Sequence, residues 1–152
     1  MENEYANYAA IHFIQLIERF RTTSMSSQNA HLHRPIKTAK HAWREKSSSV
    51  VPPSVQSALR EAMRAENVSD ADFNDLLWIM AQESAGIINT RNGASTARGL
   101  FQLLRAQYGL NPRGEASFGD AKEECQGGIR YIDGRYHSAH STRSFWQYHH
   151  WY

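Results

Sequence analysis

Residues 73–86 read FNDLLWIMAQESAG, and this stretch decides the fold class. Phe73, Leu76, Leu77 and Met80 recur at helical spacing. The segment therefore predicts an amphipathic helix whose inner face packs into a core. Glu83 falls on that same face, one turn beyond Met80. Gly86 reads as the stop signal, which puts Glu83 near a helix C-terminus, where negative charge is disfavoured. Poor solvation and the helix dipole both favour the neutral acid, so a raised pKa is expected. A carboxylic acid still protonated near neutral pH can protonate a leaving-group oxygen. The plainer reading is a helix-end glutamate paired with Arg91 or Arg98.

Downstream the pattern stays helical. Val55, Ala58, Leu59 and Ala62 predict a helix with Ser54 as its N-cap, and Ser69 or Asp70 caps the next. A Gly/Asn/Ser/Thr loop at 86–96 leads to an expected helix over 97–108, closed by Gly109 and Pro112. A further helix over 119–136 presents Ala121, Cys125, Gly128, Ile129, Ile132 and Tyr136. Residues 142–152 are aromatic-rich. No run alternates with period two, so a mostly α fold is expected.

Upstream, residues 1–20 carry an amphipathic pattern with Tyr5, Ala9, Phe13, Leu16, Ile17 and Phe20 on one face. Residues 21–53 read as a polar linker or arm ending at Pro52-Pro53, which marks a domain boundary before 54–152. The chain of 152 residues has a formal charge of +2, which does not point to nucleic acid. The charge is uneven: residues 21–50 hold six Lys or Arg against Glu45, about +5, and leave about −3 elsewhere. Such an arm is a solvated linker or a contact for anionic polymer or lipid. Cys125 has no partner for an intrachain disulfide and reads as a small core residue. The acidic start lacks the features of a secretory signal, and no stretch is long enough to span a membrane. The histidines, His31 with His33, His137 with His140, and His149-His150, match no recognised metal spacing, so no metal or other cofactor is expected.

The centre of the chain holds Glu83-Ser84, Asn89, Asn92, then Ser95-Thr96-Ala97-Arg98-Gly99-Leu100-Phe101-Gln102. This resembles the lytic transglycosylases of the goose-type lysozyme superfamily, whose pattern is a Glu-Ser pair ending a helix and a Ser-x-Ala-x-Gly-Leu-Met-Gln-like turn. Phe101 stands where Met is usual. Gly128-Ile129-Arg130-Tyr131 is similar to the family's Gly-x-x-Tyr helix. The ending Phe145-Trp146-x-x-x-His150-Trp151-Tyr152 looks like that of small, phage-associated members. The resemblance covers roughly residues 54–152.

The resemblance implies a lysozyme-like helical domain that cleaves the β-1,4 bond between N-acetylmuramic acid and N-acetylglucosamine in peptidoglycan glycan strands. It makes Glu83 the single catalytic acid and base, with a 1,6-anhydro sugar as product. Neither Asp72 nor Asp75 is placed to share the scissile bond, whereas hydrolytic glycosidases usually use two carboxylates; the distant Asp120 and Asp133 are the ones a fold could still bring close. Ser84, Ser95 and Gln102 are implied substrate contacts, and Tyr131 joins them. Each has a structural alternative: Ser84 capping its helix end, Ser95 capping the next helix, and Gln102 bonding backbone as a buried amide. The family's Ala-Tyr-Asn segment is absent, so Tyr148 or Tyr152 is expected to replace its tyrosine. The aromatic tail reads as a sugar platform or as core, core packing being the plainer reading for Phe145 and Trp146. The implied setting is a phage virion or the host envelope, with residues 1–50 docking on virion or tail proteins and release through a holin as the other route. The alternatives are a hydrolytic lysozyme and a non-catalytic virion or secretion component that binds glycan.

Overall fold

The structure, a computed structural model, describes residues 44–152. The amphipathic pattern over 1–20 and the first part of the arm lie outside the described residues. Helices of both kinds account for 62% of what is described, and no strand forms among the described residues, so this part of the chain is all-α. Four α-helices build it: α1 Pro53–Ala65, α2 Phe73–Ser84, α3 Ala121–Tyr136 and α4 Ala139–His149. No described helix is long and apolar enough to cross a membrane.

Helix α1 buries one stripe, Val55, Leu59, Ala62 and Met63, and packs along α3. Its start differs from expectation. Pro52 occupies the N-cap and Pro53 the first turn, because a proline with no N–H loses nothing there. Ser54 is therefore inside the helix. At the other end Asn67 adopts φ 56°, and Val68 N–H reaches back to the Met63 carbonyl at 2.9 Å, closing a Schellman turn. Ser69 caps the short 3-10 turn Asp70–Asp72, accepting from the Ala71 amide, and that turn feeds α2.

Helix α2 is the centre of the fold rather than an amphipathic outer helix. Nine of its twelve residues are buried, among them Trp78, Ile79 and Ala81, which lie off the expected inner face. A helix apolar all round needs cover all round. It packs against α1, α4 and the residues around Ser48–Val50. Ala85, not Gly86, is the left-handed C-cap, with φ 53°.

Residues 44–52, expected to belong to the arm, are part of the folded unit. Val51 is buried. The Gln82 side chain clamps the Lys46 backbone, accepting from its N–H and donating to its carbonyl, each at 2.8 Å. Gly86 leaves room for this segment, since a Cβ there would lie 2.7 Å from the Pro52 ring.

The expected helix over 97–108 does not form. Gly99 and Gln102 have φ 81° and 49°, which no right-handed helix accommodates. Residues 97–103 instead make a tight turn, closed by Arg98 N–H on the Leu103 carbonyl at 3.0 Å, and only Arg105–Leu110 winds as a 3-10 helix. Leu100, Phe101 and Leu103 imitate helical spacing because all three enter the core from the turn.

Helix α3 keeps its expected face, with Cys125, Gly128, Ile129 and Ile132 buried and Asp120 capping its start. The Phe101 ring lies directly on Gly128, where a Cβ would fall 2.2 Å from ring carbon. Gly128→Ala is expected to destabilise the fold by ~1–3 kcal/mol through overpacking. Thermal melting checks this, and an unchanged melting temperature would show that the Phe101 turn can yield.

Candidate active site

Glu83 is the penultimate residue of α2 and is half-buried. Its Oε1 accepts a hydrogen bond from the Trp146 indole N–H of α4 at 2.7 Å. Desolvation pushes its pKa up to about 7, against the lowering effects of the Trp146 bond and the Lys46 charge. The Lys46 ammonium donates to the Gln82 main-chain carbonyl at 2.7 Å, at the negative end of α2. The expected ion-pair alternative is not realised: among the described residues no arginine pairs with Glu83. Arg98 is instead engaged by Asn89 at 2.7 Å and Glu115 at 3.0 Å.

An aromatic group surrounds the acid. The Tyr152 hydroxyl donates to the Phe101 carbonyl and the residue is buried. Burial, and then the nearby Glu83 charge, push its phenol well above the ordinary value. Tyr136 is raised by burial too, with Glu83 a smaller contribution. Tyr131 packs edge-on to Tyr152, with ring centroids 5.6 Å apart.

Ser84, Ser95 and Gln102 hold backbone. The Ser84 hydroxyl is buried; it donates to the Met80 carbonyl at 3.3 Å and accepts the Gly86 N–H at 3.1 Å, so it caps its own helix end. Ser95 accepts the Ala97 amide at 3.1 Å in the turn that replaces the expected helix. The Gln102 amide donates to the Gly99 and Thr90 carbonyls at 2.9 and 3.4 Å.

Of the two candidate tyrosines, Tyr152 reaches the acid's surroundings and Tyr148 does not. Tyr148 is 82% exposed, and it follows Trp146 by two residues, about 200° around α4. The aromatic tail thus divides: Trp146 turns inward and Tyr148 outward. Trp146 itself is buried and meets Trp78 edge-on at 5.2 Å, in keeping with its core reading.

Two contributors escaped the sequence reading. One is Trp146 as the acid's donor. A buried indole needs a partner for its N–H, and that rule was the available signal. The other is Glu124, only 2% exposed. Its carboxylate accepts the amides of Asn89 at 3.0 Å, Leu100 at 2.8 Å and Gly119 at 2.8 Å. Burial raises its pKa, and those three amides and Arg98 oppose the rise. Its signal was position: Glu124 lies four residues before Gly128, on the apolar stripe of α3.

The remaining carboxylates near the chain's centre have other tasks. Asp75 is held by Arg143 at 2.8 Å and His140 at 3.3 Å, and Glu66 is paired with Arg130 at 2.8 Å. No group of His, Cys, Asp and Glu suited to a metal ion occurs among the described residues. Comparison with protein-family models, with curated proteins and with solved structures found no match to this chain.

The raised pKa has a stability consequence. The folded Glu83 binds its proton more tightly than the unfolded one, so its contribution falls as pH rises from about 4.5 to about 7. Glu83→Gln removes the buried charge. The variant is expected to be more stable than wild type near pH 8 by roughly 1–3 kcal/mol, and to lose that advantage near pH 4. Chemical denaturation at the two pH values checks the sign.

Proposed function

We propose that residues 44–152 form a lysozyme-like domain that cleaves peptidoglycan glycan strands by lytic transglycosylation, with Glu83 as the catalytic acid and base. The observation that carries this reading is the half-buried Glu83 at a helix end, with its pKa near 7 and a single hydrogen-bond donor on one oxygen. The resemblance of Glu83-Ser84 and Gly99-Leu100-Phe101-Gln102 to the transglycosylase pattern supplies the substrate class.

In the proposed reaction the neutral acid gives its proton to the glycosidic oxygen as the C1–O bond breaks, and the bonding electrons leave with that oxygen. The resulting carboxylate takes the proton from the muramoyl 6-hydroxyl. O6 closes on C1, giving the 1,6-anhydro sugar and restoring the acid. One carboxyl group completes the cycle and no water is consumed. Asp75, Glu66 and Glu124 are engaged by Arg143, by Arg130 and by backbone amides. Hydrolysis by the same fold is the second reading.

Mass spectrometry of purified murein digested by wild type and by Glu83→Gln distinguishes the readings. Anhydro-muropeptides from wild type alone are expected, at a rate that falls as pH rises through about 7, because the reaction needs the protonated acid. Reducing-end products would replace the proposal with a hydrolase. No product from either protein would favour a glycan-binding structural component.

The setting we propose is a phage particle, with the N-terminal segment as its attachment. Deletion must stop at residue 43, because Lys46 and Val51 belong to the fold. Removal of residues 1–43 is expected to abolish particle incorporation while murein cleavage persists; unchanged incorporation would remove this setting.

A further inference from the structure

We infer that Trp146 decides which oxygen of Glu83 carries the catalytic proton: Oε1 is held as an acceptor, so the proton resides on Oε2. The inference rests on Glu83 being an acid that is protonated near neutral pH, as proposed above. It adds the location of the proton and the residue that sets it.

The argument begins with the chemistry of indole. Its N–H can donate and cannot accept. A protonated Oε1 would offer that N–H, at 2.7 Å, only the weak acceptor of a carboxyl hydroxyl, whereas a carbonyl oxygen there keeps the full bond. The neutral acid avoids this by placing its proton on Oε2, which has no hydrogen-bond partner among the described residues. The indole bond is then kept in both protonation states, to a carboxylate oxygen in one and to a carbonyl oxygen in the other.

The donor is held in place. Trp146 is buried, meets Trp78 of α2 at 89° and 5.2 Å, and has His150 edge-on at 5.5 Å. The Arg143 guanidinium lies over the Trp78 ring at 4.9 Å and bonds Asp75 at 2.8 Å. Helices α2 and α4 therefore fix the donor and the acid with respect to one another.

The groups facing the acid from other elements do not compete for the role. Lys46, from the segment before α1, donates to the Gln82 carbonyl. The Tyr152 hydroxyl, from the C-terminal tail, donates to the Phe101 carbonyl. The Tyr136 hydroxyl, from α3, is buried and makes no hydrogen bond to Glu83. The consequence for the reaction is economy of motion. The oxygen that gives up the proton is the one that recovers it from the 6-hydroxyl, and the carboxyl group need not rotate between the two steps. Trp146 is in this sense a positioning residue, acting through Glu83.

The test is the indole proton of Trp146, followed by NMR in the full-length, ligand-free protein from about pH 5 to about pH 9, across the Glu83 titration. The expected result is a downfield, slowly exchanging indole proton at both ends. In Glu83→Gln the amide presents its carbonyl to the indole, so this variant should match the low-pH wild type. A signal that moves to the free-indole position as Glu83 takes up its proton would overturn the inference. Trp146→Phe adds a second readout. Loss of the donor is expected to move the Glu83 midpoint upward, read from its side-chain carbonyl carbon, and to slow anhydro-product formation about tenfold at low pH. An unmoved midpoint in this folded variant would also overturn the inference. The two readings fail separately. If wild type releases no murein product while the indole stays bonded through the titration, the proton's location stands and the assigned activity falls. If product forms while the indole bond is lost on protonation, only the inference falls.

Discussion

The segment between α2 and α3 takes its shape from one carboxylate. Glu124 stands on the inner face of α3 and gathers amides from three separate points of that segment, at Asn89, Leu100 and Gly119. Thirty-six residues without an α-helix would otherwise bring many backbone donors to the core with no ladder to satisfy them. A buried carboxylate is costly by itself, but charge-assisted bonds to backbone N–H groups offset much of that cost. Gly99 fits this arrangement because a Cβ there would lie 2.9 Å from the Glu124 oxygen, and its φ of 81° suits a residue without a side chain. Once Leu100 is held, Phe101 is directed onto Gly128, and the Phe101 carbonyl is left to receive Tyr152. Glu124 thus connects the turn, the core and the tail.

The candidate acid shows the same opposition of burial and donors, with fewer donors. Glu124 receives several amides and a nearby arginine, whereas Glu83 receives one indole N–H. Both lose hydration and burial raises both, Glu83 to about 7. The two differ in the donors supplied: three backbone amides take up the Glu124 oxygens, and one indole N–H meets Glu83. The cost appears as reduced stability of the charged form, a familiar exchange at sites that perform chemistry. Lys46 and Trp146 limit the cost from two sides, and both depend on packing around α2.

Much of this was legible from the chain. The apolar run of residues 73–81, the stripe of α3 and the position of Glu83 at a helix end were all readable because helical periodicity is local. The turn at residues 97–103 has the sequence pattern of a helix, since Leu100, Phe101 and Leu103 satisfy the same periodicity while Gly99 and Gln102 reverse the backbone. Ser84, Ser95 and Gln102 were legible as polar residues at meaningful places, but their bonds to backbone depend on that turn.

By itself the sequence determined a mostly α class, the burial of one face of α2 and the presence of an acid where solvation is poor. These follow from residue spacing and from the preferences of helix ends, which act over a few positions. The tertiary structure decided which groups meet that acid. Trp146 lies 63 residues away and Glu124 lies 35 residues from Asn89, and such pairings are set by how helices pack rather than by any local pattern. It also decided that Trp146 turns inward while Tyr148 faces solvent, because α4 can bury only one side of itself against α2.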